Sequence, residues 1–504
     1  MVRFAGGIPS SFNIKSRALD AREAAAILPV LRKYNPEGTC ALALAGQGDL
    51  SDLNSIQLKG YVSLANVSLK PSANFKPLKG LTGNAFFKGK TMETSLLKAQ
   101  MGESNIQGQF RMDDFRDLKV ICQFNTNLLK TKDLGLQSTA GEVNLRDVKG
   151  QMAIDDKLIH IDNLSFKLGQ SGFNLTGDIT DLALPKVTLA LNSPYVGSDD
   201  LSRLISLSSP KKEGSASSAM ELNATLKVDA GKFGDIDFKK LNAGLKYSQS
   251  IIDFETLEAG AFEGKFKAKG KVTMLSGGQN RYDANISINK MSLEKLQSYL
   301  GIGDRTISGR LSLAGDFSAS GRNADDLKKT AAGTFKVRAE KGVMKKFSSL
   351  SKIFSLINFY QMVKLNLPDM TTKGMTYNAI TSNMLLKNGV ISSEDFFIDS
   401  DSIQISGAGK IDYLKKKLDF IVGIHPLQTL DFIASKIPIA GWIVTDEKGK
   451  LITVHFKVEG AWDNPDVYPV NVRSIGKGTL DIFRRIFQLP GKLITDTGEV
   501  IFGH

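Results

Sequence analysis

This chain has few of the residues that form disulfide bonds, bind metal ions or act as nucleophiles and bases. Of its 504 residues, 2 are cysteine and 4 are histidine. Cys40 and Cys122 make neither a disulfide framework nor a cysteine-rich metal site, and no two histidines have the spacing of metal ligands on one element. Cys122 alternates with Val120 and Phe124, so we expect a buried structural thiol there.

Catalytic motifs are missing as well. GQSGF at 169–173 lacks the final glycine of a nucleophile elbow. GIGDRT at 301–306 and GAGKID at 407–412 lack the third glycine and the βαβ context of a dinucleotide-binding loop. The sequence therefore predicts a protein that is not an enzyme and that carries no cofactor and no metal.

The acids and histidines are expected to be solvated. Three pairs of adjacent acids lie in turn-like stretches, namely Asp113–Asp114, Asp155–Asp156 and Asp199–Asp200. Neighbouring residues of a strand point to opposite faces, so these pairs are poor candidates for two cooperating carboxylates. His160 and His455 occupy polar positions of strand-like segments and are expected to face solvent.

Long hydrophobic runs are also missing. No stretch of about 20 uncharged apolar residues occurs, as a transmembrane helix would need. Residues 1–30 lack the apolar core of a secretory signal, and Phe12 and Ile14 already have a strand pattern. We therefore expect the chain to be the C-terminal part of a longer protein.

What the sequence does contain is alternation of apolar and polar residues with a period of two, typical of strands with one dry face. Glycine is plentiful at 47 residues and proline scarce at 14, which fits many turns and few long helices. Five segments place the following residues on one face: Leu118, Val120, Cys122 and Phe124; Val187, Leu189 and Leu191; Tyr282, Ala284, Ile286 and Ile288; Leu418, Phe420, Val422 and Ile424; Ile452, Val454, Phe456 and Val458.

This alternation predicts a mostly β fold, an elongated and curled antiparallel sheet with a few short amphipathic helices. A sheet with one apolar face must bury that face. A second sheet could cover it and form a dry sandwich, or the sheet could curl so that its concave apolar face lines a groove. Alternation alone leaves both open, and the scarcity of covering helices favours the groove.

Glycine-centred phrases recur along the chain at irregular spacing, around Gly108, Gly177, Gly270 and Gly407. Such repeats indicate an array of strand-rich units with local contacts. The predicted parts are β-groove repeats at 1–135, 136–212 and 213–301, and a C-terminal region with amphipathic helices at 302–504.

Two basic amphipathic segments break the strand pattern, at 345–363 and 478–494. Such helices can lie in a membrane interface, or they can cap the apolar end of a sheet. In the second segment we predict that the following residues contact a membrane: Phe483, Arg484, Arg485, Ile486 and Phe487.

The formal net charge is +13. This charge favours an anionic partner such as a lipid headgroup surface or nucleic acid, or it only keeps a large sheet soluble. The aromatic residues are not interleaved with basic ones as in a base-stacking platform, so no nucleic acid partner is expected.

The segment 437–470 resembles the closing motif of AsmA-like C-terminal domains, found in bridge-like lipid transfer proteins of the AsmA, YhdP and TamB types. The matching residues are Pro438, Gly441, Gly460, Pro465 and Pro469. The helix at 345–363 and the strands after it are also similar to that family. Typical members hold an N-terminal transmembrane helix, which this chain lacks.

The resemblance implies a periplasmic, membrane-associated envelope protein of a diderm bacterium. Its β-groove would carry phospholipid between the inner and outer membranes, with the membrane surface and possible envelope proteins as partners. The residues expected to line the groove are Val120, Phe124, Val187, Leu189, Leu191, Ile286, Ile288, Phe420, Val422 and Ile424. Alternatives are a non-transporting scaffold that assists outer-membrane protein assembly, and an enzyme acting on acidic polysaccharide.

Overall fold

A computed structural model describes residues 9–23, 34–49, 55–70, 75–114, 119–181, 184–208, 220–301, 306–345, 348–359, 373–427, 443–445 and 452–471. Most of these residues are in strands, and the helices among them are few and short. Most of the strand pairs described among these residues are antiparallel and one is parallel, so the predicted mostly β, mainly antiparallel class is confirmed. The chain divides into unit 1 (Met1–Gly234 with Lys240–Gln249) and unit 2 (Asp235–Lys239 with Ser250–His504).

The elements of unit 1 are β1 (Pro9–Asp20), β2 (Glu37–Asp49), β3 (Gln57–Leu69), β4 (Leu78–Gly89), β5 (Thr91–Thr94), β6 (Leu97–Met101), β7 (Ser104–Met112), β8 (Val120–Lys130), a 3₁₀ turn (Thr131–Leu134), β9 (Gln137–Ser138), β10 (Asn144–Ile154), β11 (Leu158–Leu168), β12 (Ser171–Thr180), β13 (Lys186–Gly197), α1 (Ser198–Ile205), β14 (Leu207–Ser208) and β15 (Glu221–Phe233). Successive long strands pair antiparallel. β4 also pairs with β5 and β6, β9 pairs with β14, and β13 and β15 are parallel.

β16 (Ile236–Ser248) has residues in both units. The remaining elements belong to unit 2: β17 (Ile251–Ala261), β18 (Gly264–Met274), a 3₁₀ turn (Ser276–Gly278), β19 (Asn280–Ser292), α2 (Leu293–Tyr299), β20 (Arg310–Gly321), α3 (Ala324–Thr330), β21 (Ala332–Met344), α4 (Ser348–Phe359), β22 (Met375–Lys387), β23 (Val390–Asp399), β24 (Ile403–Asp412), β25 (Lys417–Pro426), β26 (Ile443–Thr445), β27 (Ile452–Ala461) and β28 (Asp466–Pro469). From β17 to β25 the strands pair in chain order, and β25 then pairs with β27.

The strand register keeps apolar residues on one side of each sheet. In unit 1, Leu189 is opposite Gly177 and Val187 is opposite Ile179. Because directly paired residues point to the same face, each such pair extends the apolar face by one strand. A bulge such as the one in β11, where the register shifts between Ile161 and Leu164, restores this alignment.

Glycines let large side chains lie flat on this face. Gly409 is opposite Phe420, and a Cβ on Gly409 would lie 2.2 Å from the carbonyl oxygen of Asp419. Gly150 is opposite Phe124, and a Cβ on Gly150 would lie 2.3 Å from Cε1 of that ring. Glycine within a strand often marks such a close approach.

A buried carboxylate fixes the turn between β6 and β7. Asp133 is fully buried and accepts hydrogen bonds from the backbone N–H of Glu103 (3.0 Å) and from Oγ of Ser104 (2.9 Å). Nζ of Lys76 pairs with its other oxygen at 2.7 Å. Burial raises the pKa of Asp133, but these partners outweigh it and hold the pKa below its usual value. Gly102 has φ +57, and a Cβ there would collide with the carboxylate.

The same arrangement, which we call the turn lock, recurs between β11 and β12. Asp200 accepts hydrogen bonds from the backbone N–H of Gln170 (3.1 Å) and from Oγ of Ser171 (2.7 Å), beside Gly169 at φ +56. Asp200 is 7% exposed, so the expectation of a solvated Asp199–Asp200 pair is wrong for this residue. Corresponding residues of the two locks are 67 positions apart: Gly102 and Gly169, Ser104 and Ser171, Asp133 and Asp200.

Candidate functional site

All ten predicted groove residues lie on the apolar face of their unit. In unit 1, the five residues Val120, Phe124, Val187, Leu189 and Leu191 are half-buried and remain partly accessible to solvent. Met101, Leu129 and Val148 form a dry cluster here, and Phe124 packs against it. Val120, Val187, Leu189 and Leu191 remain partly accessible to solvent.

In unit 2 the predicted residues divide into two groups. Ile286 and Ile288 are partly buried on the apolar face, whereas Phe420 and Val422 are partly buried and also pack against the large apolar cluster that contains Ile424. Ile424 is only 1% exposed and lies inside a large apolar cluster. The structure therefore places Ile424 in packed core rather than on the open part of the face.

Helix α4 covers that cluster. Its residues Leu350, Ile353 and Phe354 are 6%, 0% and 4% exposed and pack in the same cluster as Ile405 and Phe456. The helix corresponds to the segment predicted at 345–363, and its apolar stripe faces the sheet. This is the capping alternative of the sequence analysis.

The most deeply buried apolar residues of each unit concentrate along one side of its apolar face. On this side, which we call the closed margin, strands such as β11 and β21 end and the next strands begin. The buried residues there include Val143 and Leu168 in unit 1, and Met344, Met375 and Ile403 in unit 2, each at most 3% exposed. α1, α2 and α4 all follow strands that end at this margin. Each apolar face thus has one closed margin and a half-exposed middle.

The opposite face of the sheets is polar. Gln107 donates to Asn125 at 2.7 Å, and Lys267 pairs with Glu258 at 3.1 Å. His160 is 46% exposed, and its Nδ1 lies 2.6 Å from Asp178, which raises the pKa of the imidazole. The prediction of a solvent-facing His160 is confirmed.

For His455 the same prediction is wrong. His455 is 2% exposed although it alternates with the apolar residues of β27, and burial lowers its pKa to about 4. The neighbouring His425 and Ser406 are also buried. In this part of unit 2 both faces of the sheet are covered, which period-two alternation does not predict.

The described part of the family motif forms the turn between β27 and β28. Gly460 has φ +100, Pro465 is buried, and Pro469 pairs with Phe456. Nζ of Lys352 in α4 donates to Oδ1 of Asn464 (2.8 Å) and to the carbonyl oxygen of Pro465 (2.6 Å). The motif therefore anchors the covering helix.

Several predictions fall outside the described residues. Pro438 and Gly441 of the motif do so, as do the predicted membrane-contact residues Phe483, Arg484, Arg485, Ile486 and Phe487. The turn locks and Lys352 were not predicted as important. The phrases MGES and LGQS, each followed by an aspartate 29 residues after its serine, are the signal that could have revealed the locks.

Within the described ranges, no three His, Cys, Asp or Glu side chains are grouped so that they could hold a metal ion. None of the helices in the described part of the chain has the length and apolar character needed to cross a bilayer. Cys40 and Cys122 are free, buried thiols, as expected for Cys122.

No curated protein and no solved structure matches the chain. A family model described as YhdP protein matches residues 200–467, which is more than half of the chain. The match covers the strands β17 to β25 together with α4 and most of the 437–470 segment. This family is of the envelope lipid-transport type and is not a family of enzymes. The chain belongs to the YhdP family.

Proposed function

We propose that this chain is a passive conduit for phospholipid in the periplasm of a diderm bacterium. The observation that supports it best is the partly exposed apolar face, which runs through successive strands of each unit and is most deeply buried toward one margin. Acyl chains lying on this face would cover apolar side chains that otherwise contact water. Headgroups would stay in water at the open margin.

The energetics suit movement along the face. Each methylene transferred from water onto an apolar surface contributes about 0.8 kcal/mol. Because neighbouring strands present similar residues in register, such as Leu175, Leu191 and Leu226, the gain differs little from one strand to the next. A bound chain could then diffuse without any catalytic group.

Lipid extraction and native mass spectrometry of the purified full chain test this proposal. We expect co-purified phospholipid, displaced by added detergent. Protein that carries no lipid after mild purification would contradict the conduit. Lipid-independent capture of envelope proteins by such lipid-free protein would favour the scaffold that assists outer-membrane protein assembly.

A matched pair of variants tests the path. Ile286 and Ser287 are neighbours on β19 that point to opposite faces. Ile286→Asp places a carboxylate on the apolar face and should lower lipid transfer between vesicles about tenfold or more, because a charge is costly to cover with acyl chain. Ser287→Asp adds the same charge beside Lys267 on the polar face and should leave transfer unchanged.

If Ile286→Asp fails to fold, Ile288→Trp provides the second variant. It obstructs the same strand with an apolar side chain, and circular dichroism checks that the sheet is intact. Transfer at the wild-type rate by folded Ile288→Trp protein would remove β19 from the path.

A further inference from the structure

Two neighbouring turns of unit 2 present large apolar side chains to solvent. Leu414 lies between β24 and β25 and is 44% exposed, and Trp462 follows β27 and is 43% exposed. The backbone N–H of Trp462 donates to the carbonyl oxygen of Lys416 at 3.1 Å. The two side chains therefore belong to one continuous surface, at the margin opposite the closed one.

Two further segments meet this surface. Leu414 lies against the turn at Gly389, where a Cβ would be 2.3 Å from its Cδ1. The hydroxyl of Tyr413 donates to the carbonyl oxygen of Lys328 in α3. The α3 helix and the turns after β22, β24 and β27 thus form one surface, which we call the basic lip.

Lysines dominate the charge of the basic lip. Lys328 pairs with Asp325, and Lys415 with Asp412, each at 3.3 Å. Four more lysines are exposed and form no ion pair with any described residue: Lys329, Lys387, Lys416 and Lys417. Lysine is a strongly hydrated point charge, suited to a diffuse anionic surface.

We propose that the basic lip docks onto the surface of an anionic phospholipid bilayer. Tryptophan is enriched at membrane interfaces, where its ring lies at the level of the headgroups. Leucine at a turn tip can enter the acyl boundary, and lysines near an anionic surface each strengthen binding about fivefold. A protein partner is less favoured, because protein interfaces are depleted in lysine, which is the most frequent charged residue of the basic lip.

The basic lip adjoins the lipid-binding face. Ile411 and Leu418, on either side of the Leu414 turn, are opposite each other on the apolar face. Docking would therefore place the open margin of β24 and β25 at the bilayer. Docking itself does not require transport, and its role in delivering lipid rests on the proposed function.

Vesicle flotation of the full chain tests the proposal. We expect binding to vesicles of phosphatidylethanolamine with phosphatidylglycerol, and weak binding to phosphatidylcholine alone. Changing Lys329, Lys387, Lys416 and Lys417 together to glutamine should weaken binding to the anionic vesicles roughly 100-fold or more. Leu414→Asp with Trp462→Asp should abolish it.

A control in unit 1 tests whether membrane binding depends on the basic lip or on any exposed leucine and lysine of the chain. Leu184 is 52% exposed and close in sequence to Lys186, so Leu184→Asp with Lys186→Gln removes an exposed leucine and a lysine elsewhere. This control should float like the wild type. Lip variants that fold and still float like the wild type would overturn the proposal.

Co-purified lipid, measured on the same preparations, tells the two proposals apart. Lip variants that lose flotation but keep bound lipid support docking as a separate property. Wild-type protein that carries no lipid but still floats through the lip contradicts the conduit and leaves docking supported.

Discussion

The apolar faces of the two units are built from the same alternating strands but are covered differently. In unit 1 the mid-strand residues Val187, Leu189 and Leu191 stay partly exposed, and a dry cluster of three residues is formed by Met101, Leu129 and Val148. In unit 2, α4 lies over the face and joins a cluster of 16 buried residues. The comparison shows that the alternation of apolar and polar residues produces an apolar face in each unit. In unit 2, the position of α4 then determines which part of that face a ligand could reach.

The largest expected loss of stability follows when a buried side chain on the covered face of unit 2 is shortened. Ile353 is 0% exposed, so Ile353→Ala should cost about 2–5 kcal/mol of the free energy of unfolding of unit 2. Leu189→Ala in unit 1 should cost only about 1 kcal/mol, since part of that side chain is already in water. Hydrogen exchange, followed separately in unit 1 and unit 2 under increasing urea, measures both costs. Equal costs would show that the open face of unit 1 is packed as tightly as the covered one.

Through their histidines, lowering the pH should change the stability of the two units in opposite directions. His455 has a folded pKa of about 4 against about 6.5 when unfolded, so its contribution to the stability of unit 2 is complete above pH 6.5 and falls by about 3 kcal/mol as the pH drops to 4. His160 in unit 1 has a raised pKa, so it adds stability below pH 6.5 that is lost as the pH rises.

Hydrogen exchange at pH 7.5, 6 and 4.5 measures this difference in stability. These values extend from about one unit above to about two units below the pKa of an unfolded histidine. His455→Leu should flatten the pH dependence of unit 2. A dependence that survives in that variant would assign it to other groups.

Glycine substitutions compare how rigidly the two faces are packed. In unit 2, the Cβ of Gly409→Ala would meet the backbone oxygen of Asp419, and we expect a loss of about 1–3 kcal/mol. In unit 1, the three atoms nearest the Cβ of Gly150→Ala all belong to the ring of Phe124, so the loss should be about 1 kcal/mol or less, partly offset by reduced freedom of the unfolded chain. Thermal melting of both variants ranks the two costs, and the reverse order would refute this explanation.

The smallest expected loss of stability comes from removing the hydrogen bonds by which Lys352 connects α4 to the turn after β27. Lys352→Met keeps the aliphatic stem but removes two hydrogen bonds to the turn at Asn464 and Pro465, which should cost about 1 kcal/mol. Hydrogen exchange in Ser348–Phe359 should quicken while unit 1 is unchanged. Unchanged exchange in α4 would mean that its apolar contacts alone hold it.

The strands were predictable because the alternation of residues such as Ile286 and Ile288 reflects their pairing directly. The family motif was recognisable for a related reason, since Gly460 at φ +100 and the buried Pro465 occupy positions where few other residues fit.

The sequence could not decide whether the helix at 345–363 covers the sheet or lies in a membrane, because the contacts that cover the sheet join residues far apart in sequence. Lys352 reaches a turn 112 residues later, and no local pattern around it indicates that partner. The burial of His455 arises in the same way, as its strand alternation is indistinguishable from that of the exposed His160. The burial of Asp200 was missed because an acid pair in a turn is usually solvated.

The turn lock has a consequence for how such a protein can evolve. The second lock takes all its groups from residues 169–200, so it requires nothing from the rest of the chain. An in-frame duplication or deletion of 67 codons would therefore add or remove a segment that already closes its own turn. We therefore expect related chains to differ in length by whole segments of this kind.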